Sequence, residues 1–112
     1  MKRGEIYYAA LSPTVGSETG KRRPVLIISN NINNRVASTV TVLPITSNVK
    51  RIYPFEVKLT PSQSGLPRAS KVQAQQVRTI AKERINTQVV GSLDETLIKL
   101  VEAAIRLHLA ID

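Results

Sequence analysis

Residues 16–28 read GSETGKRRPVLII, and the junction inside them decides the fold. Lys21, Arg22 and Arg23 stand in a row before Pro24 and an unbroken aliphatic run. That run is too short for a helix and rich in β-branched residues, so it predicts a strand covered on both faces. Pro24 biases Arg23 toward extended backbone and is tolerated where a strand begins. Upstream, Gly16 and Gly20 mark Thr14–Arg22 as a polar loop. Arg23 therefore sits at the lip of a buried strand, where a guanidinium is costly unless an anion meets it.

Working outward, GEIYYAALSP predicts a first strand ending at Pro13, and NNINNR a turn-rich connection with room for one short helical turn. STVTVLPITS predicts a strand interrupted at Pro44. In PFEVKLT, Phe55, Val57 and Leu59 alternate with Glu56 and Lys58, which predicts a half-buried strand with both charges outward. SKVQAQQVRTI reads as one strand, AKERI as a short turn. The last segment is helical: Ser92 and Glu95 have capping-box spacing, with Asp94 in the first turn. Leu93, Leu97, Leu100, Val101, Ala104 and Leu107 recur at helical spacing, and Ile98, Ile105 and Leu109 widen the stripe to about half the circumference. An arc so wide fits two arrangements equally: a helix packed only on its own sheet, or one that covers a small barrel and also touches a second subunit. The expectation is a mainly β (α+β) chain: one domain over residues 1–112, a small, strongly bent antiparallel sheet or barrel closed by a C-terminal helix.

Composition narrows the chemistry. The chain of 112 residues carries sixteen Lys and Arg against eight acids, a net charge of +8. Between Thr19 and Lys82 the single acid is Glu56, against eleven cations. The terminal helix reverses the bias, so a polyanion is expected to meet the middle of the chain. With no cysteine there is neither disulfide nor thiolate chemistry. His108, the one histidine, lies on the helix's apolar arc and reads as structural, bonded to backbone or to an interface partner. No metal-ligand spacing, nucleophile elbow or strand–loop–helix phosphate motif appears, so no metal and no cofactor is expected. No stretch suits a signal peptide or a membrane span, which fits the cytoplasm. What remains is arginine, hydroxyl and one loop carboxylate, and two readings stand: Arg23 caps its strand end paired with Glu18 while Thr46 is a structural strand-end hydroxyl, or Arg23 and Thr46 hold a phosphate. Arginine's planar fork matches phosphate and balances developing negative charge.

Three stretches, RGEIYYAALSPTVGSETGKRRPVLIIS, VLPITS and QQVRTI, in this order and spacing, resemble the MazF/PemK family of toxin–antitoxin toxins. The resemblance spans Arg3 to the terminal helix. It implies an SH3-like (CcdB/MazF-like) barrel with a C-terminal helix, assembled as a homodimer. The implied activity is metal-independent cleavage of single-stranded RNA, chiefly mRNA, by 2′-hydroxyl attack, leaving 2′,3′-cyclic phosphate and 5′-hydroxyl ends. By position, the catalytic arginine and threonine fall on Arg23 and Thr46 and the loop glutamate on Glu18; which group removes the 2′-proton stays open. Lys21, Arg22, Ser47, Lys50, Arg51, Gln76 and Arg78 are the expected RNA contacts. An acidic cognate antitoxin is the implied partner. Gln75 stands where many relatives carry an acid, and Lys71 and Gln73 where they often carry aliphatic residues, which suggests a more basic face and an altered base preference or antitoxin fit. With few aromatics (Tyr7, Tyr8, Tyr53, Phe55), base stacking is expected to be sparse. Two alternatives share the fold class: a CcdB-like gyrase inhibitor, against which HLAID lacks a Trp-containing end, and an RNA-binding barrel without catalysis.

Overall fold

The computed structural model describes Met1–Asp112. β1 (Glu5–Ala10), β2 (Arg22–Ile27) and β3 (Thr39–Thr46) form an antiparallel meander in which period-2 alternation feeds two cores. Ile6, Leu26, Ile28, Leu43 and Ile45 enter one cluster; Tyr7, Ala9, Val25, Ile27, Val40 and Val42 enter the other. The expected burial of the second strand on both faces follows from that division.

β3 is the hub. One edge pairs with β2; the other is shared, Thr39–Val42 with β6 (Arg78–Ala81) and Ile45–Thr46 with β5 (Ser70–Gln73). Pro44 therefore does not interrupt the strand. It stands with Leu43 at the handover, unpaired on that edge, where a residue without an N–H is least costly to the ladder. SKVQAQQVRTI, expected as one strand, is two, because a 3₁₀ turn at Ala74–Gln76 carries the chain from one partner position to the other.

β4 (Glu56–Leu59) extends the sheet beyond β5, and β7 (Gly91–Ser92) pairs with the start of β1. Beyond β6, a 3₁₀ turn at Lys82–Arg84 brings Ile85 opposite Ala9, and Asn86 N–H donates to the Tyr8 carbonyl at 2.8 Å. The sheet thus curls into a half-barrel around the second core. α1 (Asn31–Val36) is a short helix capped by Asn30. α2 (Pro61–Ser64) has a full capping box and ends at Gly65, whose φ of +79° suits glycine. There the chain touches β7 so closely that a Cβ on Gly91 would lie 2.0 Å from the Ser64 carbonyl oxygen.

α3 (Glu95–Leu109) lies over the first core through Leu97, Val101 and Ala104. Its N-cap is Asp94, accepting from Leu97 N–H at 2.9 Å, and not the expected Ser92, which is held in β7. A cap contributes about 1 kcal/mol, whereas burial of Leu97 and Val101 contributes about 1.5–3 kcal/mol each, so packing seats the helix. Leu93 is buried with them and Ile98 and Ile105 pack partly against the same core, whereas Leu100, Leu107 and Leu109 are exposed. His108 is exposed too, bonds to nothing in the chain, and lies 5.9 Å from the Phe55 ring, which stacks on Tyr53.

Candidate active site

Extended geometry and pairing with Ala9 hold Arg23 in β2. It is half-buried, and its Nε donates to the Gly20 carbonyl at 3.2 Å, leaving the terminal nitrogens without a protein acceptor. Arg23 and Thr46 line a cleft of about 400 Å³ together with Glu18, Thr19, Lys21 and Gln73. On its other side Arg23 lines a second cleft with Thr46, Ser47 and Lys50, and a third with Tyr8, Arg22, Ser47 and Arg68. Arg23, the second residue of β2, is thus the common wall of a continuous groove.

Thr46 closes β3, where its Oγ1 accepts from Asn48 N–H at 3.2 Å. That bond uses a lone pair and leaves the hydroxyl proton to donate into the cleft. Glu18 Oε1 accepts from Val15 N–H at 2.6 Å, and Glu18 forms no ion pair with Arg23, so a carboxylate and a guanidinium share the cleft without neutralising each other. Lys21 adopts φ of +65°, unusual for a side-chain-bearing residue, with its N–H bonded to Ser12 Oγ at 2.7 Å.

The remaining expected contacts divide by position. Lys21, Arg22, Ser47 and Lys50 border the groove and are exposed. Arg51 is exposed but lies outside those clefts, donating to the Tyr53 hydroxyl at 3.3 Å. Gln76 is in the 3₁₀ turn, where its Oε1 accepts from Thr19 N–H at 3.2 Å, and Arg78 donates to the Leu11 carbonyl at 3.0 Å. Both side chains are spent on the Leu11–Lys21 segment. Gln73, accepting from Thr19 Oγ1 at 2.9 Å, and Arg84, donating to the Ala10 and Ser12 carbonyls, join them. Sequence reasoning marked Gln73 as a departure but not as a tether, and it missed Arg84 and the cleft positions of Tyr8 and Arg68, because these placements join residues far apart in sequence that no local pattern marks.

Lys71 and Glu56 require a correction. Glu56, expected to point outward, is buried, and so is Lys71, expected to make the groove face more basic. Lys71 Nζ donates to Glu56 Oε1 at 2.9 Å and to the Arg51 carbonyl at 2.8 Å. Gln75 Nε2 donates to Glu56 Oε2 at 2.7 Å, and Tyr53 N–H to Oε1 at 2.9 Å. Burial pushes the Glu56 carboxyl up, but the bonds from Tyr53, Gln75 and Lys71 override it and hold the group below its ordinary value. Lys71 therefore cancels the one acid of the central segment, and Glu18 is the one carboxylate that lines the groove.

No group of three or more His, Asp or Glu side chains that would hold a metal ion occurs, and no helix is long and apolar enough to cross a membrane.

The family model for PemK-like, MazF-like toxins of type II toxin–antitoxin systems matches residues 2–109. An endoribonuclease of Bacillus subtilis, EndoA, is 39% identical, the match covering 99% of this chain and 96% of that protein. Among solved structures, MazF of Deinococcus radiodurans superposes with a TM-score of 0.84 at 25% identity, covering 98% of this chain and 96% of the other. A MazE–MazF structure from the same organism gives 0.79 at 25% identity, covering 100% and 97%.

Proposed function

The chain belongs to the PemK-like, MazF-like family of type II toxin–antitoxin toxins, and we propose that it is a metal-independent endoribonuclease that cuts single-stranded RNA, mRNA in particular, at short sequences. The observation that carries this reading is the shared cleft of Arg23, Thr46 and Glu18, with the terminal nitrogens of Arg23 unengaged.

The 2′-oxygen attacks the adjacent phosphorus, a P–O2′ bond forms and the P–O5′ bond breaks, giving a 2′,3′-cyclic phosphate and a 5′-hydroxyl. Arg23 balances the charge that builds on the non-bridging oxygens and supports the departing 5′-oxygen, which takes its proton from solvent water. Thr46 donates its hydroxyl to a non-bridging oxygen. Glu18, the carboxylate of the cleft, is assigned the 2′-proton. Lys21, Arg22 and Lys50 draw the RNA backbone into the groove, so affinity falls with salt.

An acidic antitoxin segment laid in the same groove would block it, and an uncovered apolar arc on α3 supports a homodimer. A toxin acting on mRNA works in the cytoplasm. The gyrase-inhibitor alternative is not carried further: the groove chemistry would be idle in it, and the curated relative at 39% identity is an endoribonuclease.

The test is RNA cleavage in EDTA with end mapping. Wild type is expected to cut and to leave cyclic phosphate ends. Arg23→Ala and Thr46→Ala are expected to lose on the order of a hundredfold or more while keeping the wild-type circular dichroism. Cleavage that requires a divalent ion, or that survives Arg23→Ala, overturns the mechanism.

A further inference from the structure

Beyond Arg23 the groove opens into the third cleft, about 370 Å³, lined by Tyr8, Arg22, Leu66, Pro67 and Arg68. It continues past Tyr8 and Arg22 into another of about 410 Å³ lined by Asn86 and Gln88. We propose that this extension is a nucleotide subsite next to the scissile phosphate, in which a base stacks on the Arg22 guanidinium and Arg68 holds the adjoining phosphate. The proposal rests on the RNA-cleaving reading above.

The Arg22 guanidinium carbon lies 4.3 Å from the centroid of the Tyr8 ring. Arg22 is exposed and donates to no group of the chain, so the ring supports one side of a planar cation whose N–H groups are unspent. A guanidinium plane stacks on a nucleobase much as an aromatic ring does. Arg68 is likewise exposed and without an ion-pair partner. No carboxylate lines either cleft. A bare phosphate would satisfy the arginines but leave Tyr8, Leu66 and Pro67 without a role. An acidic peptide would leave the planar platform unused. A nucleotide uses both, and the Asn86 and Gln88 amides supply polar groups for a base edge. In a chain this poor in aromatics, one ring extended by an arginine makes a larger stacking surface than the ring count suggests.

The experiment uses heptanucleotides spanning a mapped cut site, 2′-O-methylated at the attacking ribose to block cleavage, with each base near the cut replaced in turn by an abasic residue. Fluorescence anisotropy is expected to show one position where base removal weakens wild-type binding by on the order of tenfold. In Arg22→Gln that penalty disappears while penalties elsewhere persist. Arg68→Gln weakens all the oligonucleotides alike and lowers the slope of log affinity against log salt by about one. Both residues are exposed, so the variants keep the wild-type melting transition. The subsite is overturned if wild type binds and cuts RNA yet no abasic penalty responds to Arg22→Gln. It is also overturned if the two variants keep RNA affinity and lose only inhibition by poly-glutamate, which would give the cleft to an acidic peptide. A wild type that neither binds nor cuts any RNA overturns the cleavage reading itself, and the subsite with it.

Discussion

At the scale of single residues, the buried Lys71–Glu56 pair carries the clearest energetic consequence. Both ends are inside, and four donors or acceptors from Arg51, Tyr53, Gln75 and the pair itself complete the network. Exposed pairs such as Lys99–Glu95 contribute little, but removing one partner of a buried pair leaves the other uncompensated. Lys71→Met is expected to lower stability by about 3 kcal/mol, read as a shift in the urea midpoint with an unchanged slope. The pH dependence has a defined sign. Glu56 titrates below its ordinary 4.5 when folded, so its contribution is complete above 4.5 and is lost as pH falls through the folded value. Urea midpoints of the wild type should therefore drop on the acid side, and the drop should be smaller in Glu56→Gln. The alternation in PFEVKLT pointed Glu56 outward because period-2 patterning records side-chain type and not the partner waiting across the sheet. Only β5 in register, with Lys71 opposite Lys58 and Gln73 opposite Glu56, places the cation near that carboxylate.

At the scale of elements, the loop from Ser12 to Lys21 is built by side chains far away in sequence. Gln73 and Gln76 hold Thr19, Arg78 and Arg84 hold the carbonyls at the loop's start, and Ser12 holds Lys21. Three of these anchors belong to the stretch SKVQAQQVRTI. Its splitting into β5, a 3₁₀ turn and β6 is what aims Gln73 and Gln76 at the loop, so the strand that sequence reasoning drew as continuous would have lost the tether. The strands β1 to β3 were legible because proline, glycine and apolar runs mark them locally, and the meeting of Arg23, Thr46 and Glu18 in one cleft was legible only through the family motif that spans them. The tethers were not, since glutamine carries no signal of what it binds. One tether is separable from RNA contact by a double-mutant cycle. Thr19→Val removes the hydroxyl bond to Gln73, and Gln73→Ala removes its acceptor. Each is expected to lower kcat about fivefold, the equivalent of a hydrogen bond of about 1 kcal/mol, and the double variant should lower it no further. Full additivity would show that the two side chains act on RNA separately.

At the scale of the whole molecule, charge and apolar surface are segregated. Lys21, Arg22, Arg23, Lys50 and Arg68 line the groove, while α3 turns Leu100 (52% exposed) and Leu107 (57% exposed) to the outside, with Leu109 and Ile111 beyond them. Exposed leucines two helical turns apart form a stripe rather than scattered residues, and a stripe calls for a covering partner. A second copy is the economical occupant, because a two-fold contact buries the same stripe on both chains and leaves both basic grooves free for RNA or an acidic antitoxin segment. The cost of exposing the stripe falls on α3, whose remaining contacts through Leu97, Val101 and Ala104 are enough to keep it seated. A charge placed in the stripe should therefore separate the copies without unfolding either. Leu107→Lys is expected to sediment at 12.3 kDa where the wild type sediments at twice that mass, with the helical circular dichroism unchanged. A wild type that stays at 12.3 kDa across the concentration range, or a variant that remains paired, would show that the stripe is covered by something other than a second copy of this chain.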